Sequence, residues 1–321
     1  NEKKLCFSVE IIINNKGDKI SHKFFKSTIK SKKRFNYQEV QELIDLNFEK
    51  KNTYDKSINL NIKYLYQVYK VLKKQSLSRS ALDLKIGEKK IFFNDNGQAS
   101  YVQNISSLES HELIEELMIL ANVCAAEEIQ KIDKNNVYRI HEKPSSEKIN
   151  SLINSIGKPY DKILKNGPIT PSKFNLLIKK YKNLNDIDLL NQLILRSQSQ
   201  AKYYNVNNGH FGLGLLNYVH FTSPIRRYAD LLIHRKLNSI INNQNPIKQF
   251  SNDDLKVICD HISATERKGI AAERKTFDRF STYIYSQKIN MKFDGRIISI
   301  TKFGIFVKFD NGLVEGLILR K

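Results

Sequence analysis

Two hydrophobic stretches open the chain, at residues 5–13 and 19–29, alternating or running apolar around the polar Asn15-Lys16-Gly17-Asp18. That pattern predicts a β-hairpin, because successive strand side chains face opposite ways. Asn36 and Glu39 have the spacing of a capping box and open a predicted helix at 37–46. Ile58, Ile62, Leu65, Tyr69 and Leu72 recur at helical spacing through 57–76, a window without Gly or Pro. Ile91-Phe92-Phe93 ahead of Asn96-Gly97 predicts a second hairpin, since Asn-Gly favours the tight turns that join antiparallel strands. Helical periodicity follows at 110–131, 145–156, 170–182, 186–201, 224–242 and 252–284, with Thr170 as a cap and Pro171 at a first helical position. From Phe293 the pattern shortens to alternating strands punctuated by Gly295, Gly304, Gly312 and Gly316. The expected class is α/β in the mixed α+β sense, mostly helical in its second half and closing on a small β segment. No internal repeat or low-complexity linker interrupts it.

Length and charge narrow this picture. A chain of 321 residues can bury a large core, and one big domain plus a small one is the natural division. A formal net charge of +20 points to a polyanionic partner. Part of that charge belongs to a lysine-rich composition that accompanies abundant Asn and Ile, so charge alone points to RNA or DNA without establishing either. The three cysteines, Cys6, Cys124 and Cys259, form no CxxC pair and no even disulfide framework, which fits a reducing cytoplasm. No apolar run approaches the roughly 20 residues of a membrane span, and no signal-peptide pattern is present. The chain opens at Asn1 without a methionine and closes at Lys321 within a strand pattern, which reads as a piece of something longer.

The most informative stretch is HFGLGLLNYVHFTSPIRRY, residues 210–228. A Gly-rich, strand-like run at 212–215 leads to Thr222, Ser223 and Pro224, then to Arg226 and Arg227. Pro224 suits the first turn of a helix, and Ser223 or Thr222 would cap it. Two guanidinium groups and free N–H donors at a helix start attract phosphate. An ordinary capped helix with a surface arginine pair would carry the same residues.

This stretch resembles the signature of the RNase II/RNase R (RNB) exoribonucleases. LCFSVEI, RSALDLKIGEKKIFF, LIEELMILANVCAAEEI and YRIHEKPSSEKI agree with that family in order along the chain. The double arginine and the preceding His220-Phe221 lean toward the RNase R branch. The resemblance covers essentially the whole chain but only the later part of such an enzyme. It implies an RNB catalytic part over 1–286 and, over 287–321, the opening of an S-one-type RNA-binding OB-fold barrel. In that barrel Ile305, Val307 and Phe309 would face inward, while Phe303, Phe306 and Lys308 would meet single-stranded RNA by stacking and charge. Ordinary half-buried strand aromatics are the alternative.

The resemblance also implies an activity: processive hydrolysis of RNA from the 3′ end to nucleoside 5′-monophosphates, with magnesium. Hydrolysis builds negative charge on the phosphorus oxygens, which carboxylate-held metal ions and an arginine can stabilise. The carboxylate candidates here are weak. Asp253-Asp254, Asp186 and Asp188 open helices, where the dipole explains them, and Asp95 lies in a turn. The family's metal-binding aspartates are expected upstream of LCFSVEI, so no metal ligand is assigned.

Arg226 matches the family arginine at the scissile phosphate. Arg227 is a second phosphate contact or a structural ion pair. Glu115 matches the acidic residue that accepts from a ribose hydroxyl and so distinguishes RNA from DNA, with Glu116 as the alternative. Tyr37 matches a tyrosine that stacks on the terminal base, or it covers the core. Where RNase II-type enzymes carry a second stacking phenylalanine, this chain has Leu84, which offers apolar contact without a π-face. Glu273 matches a glutamate near the RNA path, or pairs within its helix. The seven histidines lack ligand spacing and read as hydrogen-bonding core residues. Three functional classes remain: an RNase R-type exoribonuclease, a non-catalytic RNA-binding relative without the metal site, and a generic basic DNA-binding protein. DNA preference is not expected.

Overall fold

The computed structural model describes residues 2–48, 55–157, 160–181, 187–242, 250–310 and 312–320. Within them β1 (Lys3–Ile13) and β2 (Lys19–Lys30) form the first hairpin, paired from Lys3–Lys30 to Ile13–Lys19. α1 (Tyr37–Asp45) starts as its capping box dictates: the Asn36 side chain accepts from the Glu39 N–H, and the Glu39 carboxylate accepts from the Asn36 N–H. α2 (Lys56–Ser78) follows, and then the hairpin of β3 (Glu88–Phe93) and β4 (Ala99–Ile105). Gly97 makes that turn with φ of +75°, which a side chain would oppose. α3 (Glu109–Gln130) is the central helix, and β5 (Tyr138–Ile140) comes after it.

α4 (Ser146–Ile156), α5 (Asp161–Lys165), α6 (Pro171–Tyr181) and α7 (Ile187–Ser197) build a helical cluster around Phe174, Leu177 and Ile194, all fully buried. The expected helix at 186–201 is shorter, because the chain leaves it after Ser197 to form β6 (Lys202–Tyr204), which pairs with β5. Asp186 lies outside the described residues. α8 (Tyr228–Ile241) and α9 (Asn252–Ser286) complete the helices.

Two compact units result. The first joins residues 1–85 to 108–263, and the second joins 86–107 to 264–321. The first unit's main core sets Cys124, Ala125, Ala126 and Ile129 of α3 against Phe24, Tyr138, Val219, Phe221, Ile233 and Leu237. Small residues on α3 let the β1–β2 hairpin and α8 approach it closely. In the second unit, Ala99 and Val102 of β4 pack with Ile284, Phe277 and Phe280 of α9.

Also in the second unit, β7 (Gly295–Thr301), β8 (Gly304–Phe309) and β9 (Val314–Leu319) form an antiparallel sheet in that order. It is open: among the described residues no closed barrel forms, because β7 and β9 pair only with β8 and three strands cannot close on themselves. The inward-outward split expected along β8 is accordingly weak. Ile305, Phe306, Val307, Lys308 and Phe309 are all half-buried.

Two local expectations around the central motif are corrected. Residues 212–215 are not a strand; Phe211–Leu213 is a single 3-10 turn closed by Gly214 in the left-handed region. The next helix starts at Tyr228, not at Pro224, and neither Ser223 nor Thr222 caps it. Arg227 is extended there, at φ −126° and ψ 120°, and Asp230 accepts from both the Ser223 N–H and the Arg227 guanidinium across the preceding turn.

Candidate nucleic-acid interface

α3 organises the first unit's candidate residues. His111, Glu115 and Asn122 fall at spacings of four and seven, which places them along one helical face over about 16 Å. Each meets a different part of the site.

At the N-terminal end, the His111 ring stacks on Tyr37 at 4.0 Å between centroids and 22° between planes. The Tyr37 carbonyl accepts from Ser110 Oγ at 2.9 Å, and the His111 ring nitrogen accepts from the Leu108 N–H. Tyr37 is thus held by backbone and ring while remaining 46% exposed, at the edge of an apolar cleft of 760 Å³ lined also by Phe35, Val40 and Leu65. His111 was not foreseen, and no local signal marks a ring pair so distant in sequence.

One helical turn on, Glu115 is exposed, and the surrounding protein raises its carboxyl pKa. Desolvation is the main cause; Lys73 opposes it and Glu112 adds to it. Glu116, the alternative, is buried and turned to Arg79, whose Nη2 lies 3.8 Å away. Arg79 also donates from Nε to the Leu213 carbonyl at 3.0 Å, and Leu82 N–H donates to Gly212 O at 2.7 Å. A Cβ on Gly214 would sit 2.6 Å from the Arg79 carbonyl oxygen, so this loop seats against the end of α2 only as glycine. Leu84 is half-buried and packs on the α4–α7 cluster, so its apolar surface serves that core.

At the third position Asn122, 3% exposed, donates to Tyr218 Oη at 3.0 Å and accepts from the Phe221 N–H at 2.9 Å. From the other side His234 of α8 meets the Phe221 carbonyl at 2.8 Å and stacks on its ring at 4.4 Å. The His220 ring reaches Tyr203 Oη at 2.8 Å. Burial pushes its pKa down to about 2, with Arg227 and Arg139 adding to the shift. His210 is pushed down to about 3, by burial first and then by His141. These are neutral, hydrogen-bonded rings inside the protein.

Beyond this anchor the chain turns. The Ser223 carbonyl accepts from the N–H groups of Arg226 and Arg227 at 3.3 and 3.1 Å. Asp230, fully buried, takes the Ser223 N–H at 2.7 Å and the Arg227 guanidinium through Nε at 2.8 Å and Nη2 at 2.7 Å. The Arg226 side chain is exposed and makes no hydrogen bond or ion pair among the described residues. Two adjacent arginines have opposite fates, one neutralised and one presented. Asp230 was not singled out in the sequence, although its spacing from Arg227 is that of a helical ion pair.

The family model described as the RNB domain matches residues 1–243. The chain belongs to the RNB family. This RNB chain is 30% identical over 325 residues to ribonuclease R of Vibrio cholerae, covering 98% of itself and 40% of that protein. Identity with ribonuclease R of Buchnera aphidicola subsp. Schizaphis graminum is 33%, covering 99% and 44%. Among solved structures it is similar to Mycoplasma genitalium RNase R in complex with ribose methylated single-stranded RNA: TM-score 0.89, 30% identity, 99% of this chain and 50% of that one. Yeast Ssd1, a pseudonuclease, shares the fold at a TM-score of 0.71 and 16% identity, over 99% of this chain and 39% of that one. The RNB chain thus spans about 40% of the length of such curated relatives.

The second unit carries the other candidates. Glu273 is exposed on α9 and makes no ion pair among the described residues. Phe303 is 77% exposed at the β7–β8 turn. Phe306 is half-buried, and the Lys308 ammonium faces Glu315 at 3.4 Å. As to magnesium, no group of three His, Cys, Asp or Glu residues converges among the described residues, so the side chains present do not fit a metal centre. No helix among them is long and apolar enough to cross a membrane.

Proposed function

We propose that this chain forms the RNA-gripping wall of a hydrolytic 3′-to-5′ exoribonuclease of ribonuclease R type, releasing nucleoside 5′-monophosphates processively in the cytoplasm. The observation that carries the reading is the exposed, unpaired Arg226 guanidinium beside an Arg227 already engaged by Asp230. A free guanidinium fixed on a closed turn is suited to a phosphate whose charge grows during bond cleavage. Glu115 accepts a ribose hydroxyl, and Tyr37 offers its accessible surface to the terminal base. Leu84 gives that base at most apolar contact. In the second unit Phe303 and Phe306 stack on RNA, with Glu273 near its path, and β7–β9 open an S-one-type RNA-binding domain over 287–321. Magnesium is assigned to carboxylates outside this sequence, and no step of the reaction is derived through it.

Arg226→Ala in the complete protein tests this reading. Turnover should fall about a hundredfold or more, the cost of removing one transition-state donor, while affinity for RNA falls by no more than about tenfold, the worth of one charge-assisted contact. Equal losses in binding and turnover would remove the role given to Arg226. A second reading is an RNA-binding relative without catalysis, a state that the same fold takes in the pseudonuclease Ssd1. Complete protein that binds RNA and leaves it intact in magnesium would decide for it.

A further inference from the structure

We propose that Asp230 is the positioning residue of the Arg226 phosphate grip, an inference that rests on the reading of Arg226 above. By holding the Arg227 guanidinium and the Ser223 N–H together, its buried carboxylate fixes the turn 223–227 and leaves Arg226 as the one guanidinium of the pair turned to RNA.

A carboxylate with no exposed surface is costly unless donors surround it. Asp230 has three: Ser223 N–H and Arg227 Nη2 on Oδ1, and Arg227 Nε on Oδ2. Both oxygens accept, so an amide cannot replace the group; whichever way it turns, its NH2 meets an arginine or backbone donor. The three contacts span the turn. They join its first residue, Ser223, and its last, Arg227, to the first turn of α8, while the Ser223 carbonyl closes the turn from within. None of these bonds uses the Arg226 side chain. Its backbone direction is therefore set before any ligand arrives, which is the preorganisation that electrostatic stabilisation needs. The same pairing removes Arg227 as a competing cation, so a phosphate meets one guanidinium at a defined place. Behind the turn, Asn122 and His234 fix Phe221, so the staple pulls against a rigid anchor.

The test uses the full chain and a short single-stranded RNA carrying one uncharged methylphosphonate linkage, moved stepwise from the 3′ end. The native chain should lose about tenfold in affinity at a single linkage, the scale of one charge-assisted hydrogen bond. Arg226→Ala should give a flat profile. Asp230→Asn should give the same flat profile although Arg226 is intact, measured well below its melting temperature, whereas a merely structural role would lower melting and leave the profile as in the native chain. An Asp230→Asn profile that keeps the native step overturns the inference and leaves the Arg226 reading standing. A flat profile in the native chain removes the Arg226 reading itself. If Asp230→Asn does not fold, phenylglyoxal labelling of the native chain decides: Arg226 labelled with Arg227 protected supports the pairing, and equal labelling overturns it.

Discussion

The turn around Arg226 and the β7–β9 sheet are both candidate RNA contacts built on short polar and aromatic stretches, and they differ in what stands behind them. Behind the turn are buried and half-buried side chains, local and distant: Asp230 and His234 of the following helix α8, Asn122 of α3 and Tyr203 of β6. Behind the sheet the support is thinner: Tyr285 of α9 meets the Phe309 ring at 5.1 Å, Lys89 of β3 donates to the Leu313 carbonyl, and Ile300 and Leu319 stay 70% exposed or more. A side chain such as Arg226 is therefore aimed by the first unit's core, whereas Phe303 is carried on a surface with little to fix it.

The largest expected separation of the two is by acid. All seven histidines of the chain lie in the first unit and none in the second. His210 and His220 have folded pKa values near 3 and 2, below the ordinary 6.5 they regain on unfolding. Their contribution is complete above that ordinary value and is lost as pH falls through the interval below it, because the unfolded chain binds protons that the folded one refuses. Each ring should remove about 1.4 kcal/mol of stability per pH unit there. Hydrogen exchange followed from pH 7 down to about 4 should show the first unit opening while the β3–β4 and β7–β9 hairpins keep their protection. Equal loss in both units would remove the contrast.

Next in size is Asn122→Ala. It strips the Phe221 N–H of its acceptor and Tyr218 Oη of its donor, both inside the protein. The expected loss is about 2–3 kcal/mol in urea unfolding of the first unit. Phe306→Ala on the open sheet should cost less than that, since its side chain is only half-buried. The reverse order would mean that the sheet is the better-supported surface.

Glu115→Gln should act on selectivity rather than stability. Weakening the ribose acceptor is expected to reduce the preference for RNA over DNA of equal length about five- to tenfold, at one fixed salt concentration. Because desolvation raises the Glu115 carboxyl pKa, the native preference should begin to fall with acid at a higher pH than for an ordinary glutamate. An unchanged RNA-to-DNA ratio in Glu115→Gln would take the ribose contact away from this residue.

Much of this contrast was legible in the chain, and the part that was not has a physical reason. Capping at Asn36 and Glu39, the Asn-Gly turn and the long apolar periodicities are local signals, and the elements they predict are present. The helix expected from Pro224 failed because Pro and Ser are also turn residues, and the carboxylate that accepts across that turn lies six residues on. The Gly212–Leu215 run was misread for a similar reason. Its glycines answer to a close approach by the Arg79 backbone and the His141 ring, which no local pattern records. Arg226 and Arg227 are alike in sequence and differ only in what faces them. Charge could point to a polyanionic partner, but the difference between a presented and a neutralised arginine needed the third dimension.

The smallest expected effect concerns Lys308. Its ammonium meets Glu315 across β8 and β9, with the lysine side chain 10% and the acid 42% exposed, so Lys308→Met should change stability by no more than about 1 kcal/mol. The informative readout is the slope of RNA affinity against salt. A lysine that neutralises a phosphate lowers that slope by roughly one when removed, whereas a lysine paired with Glu315 leaves it nearly unchanged. We expect the second result. A drop of about one would mean that RNA displaces Glu315 and that the open sheet, like the Arg226 turn, delivers a committed cation to the backbone.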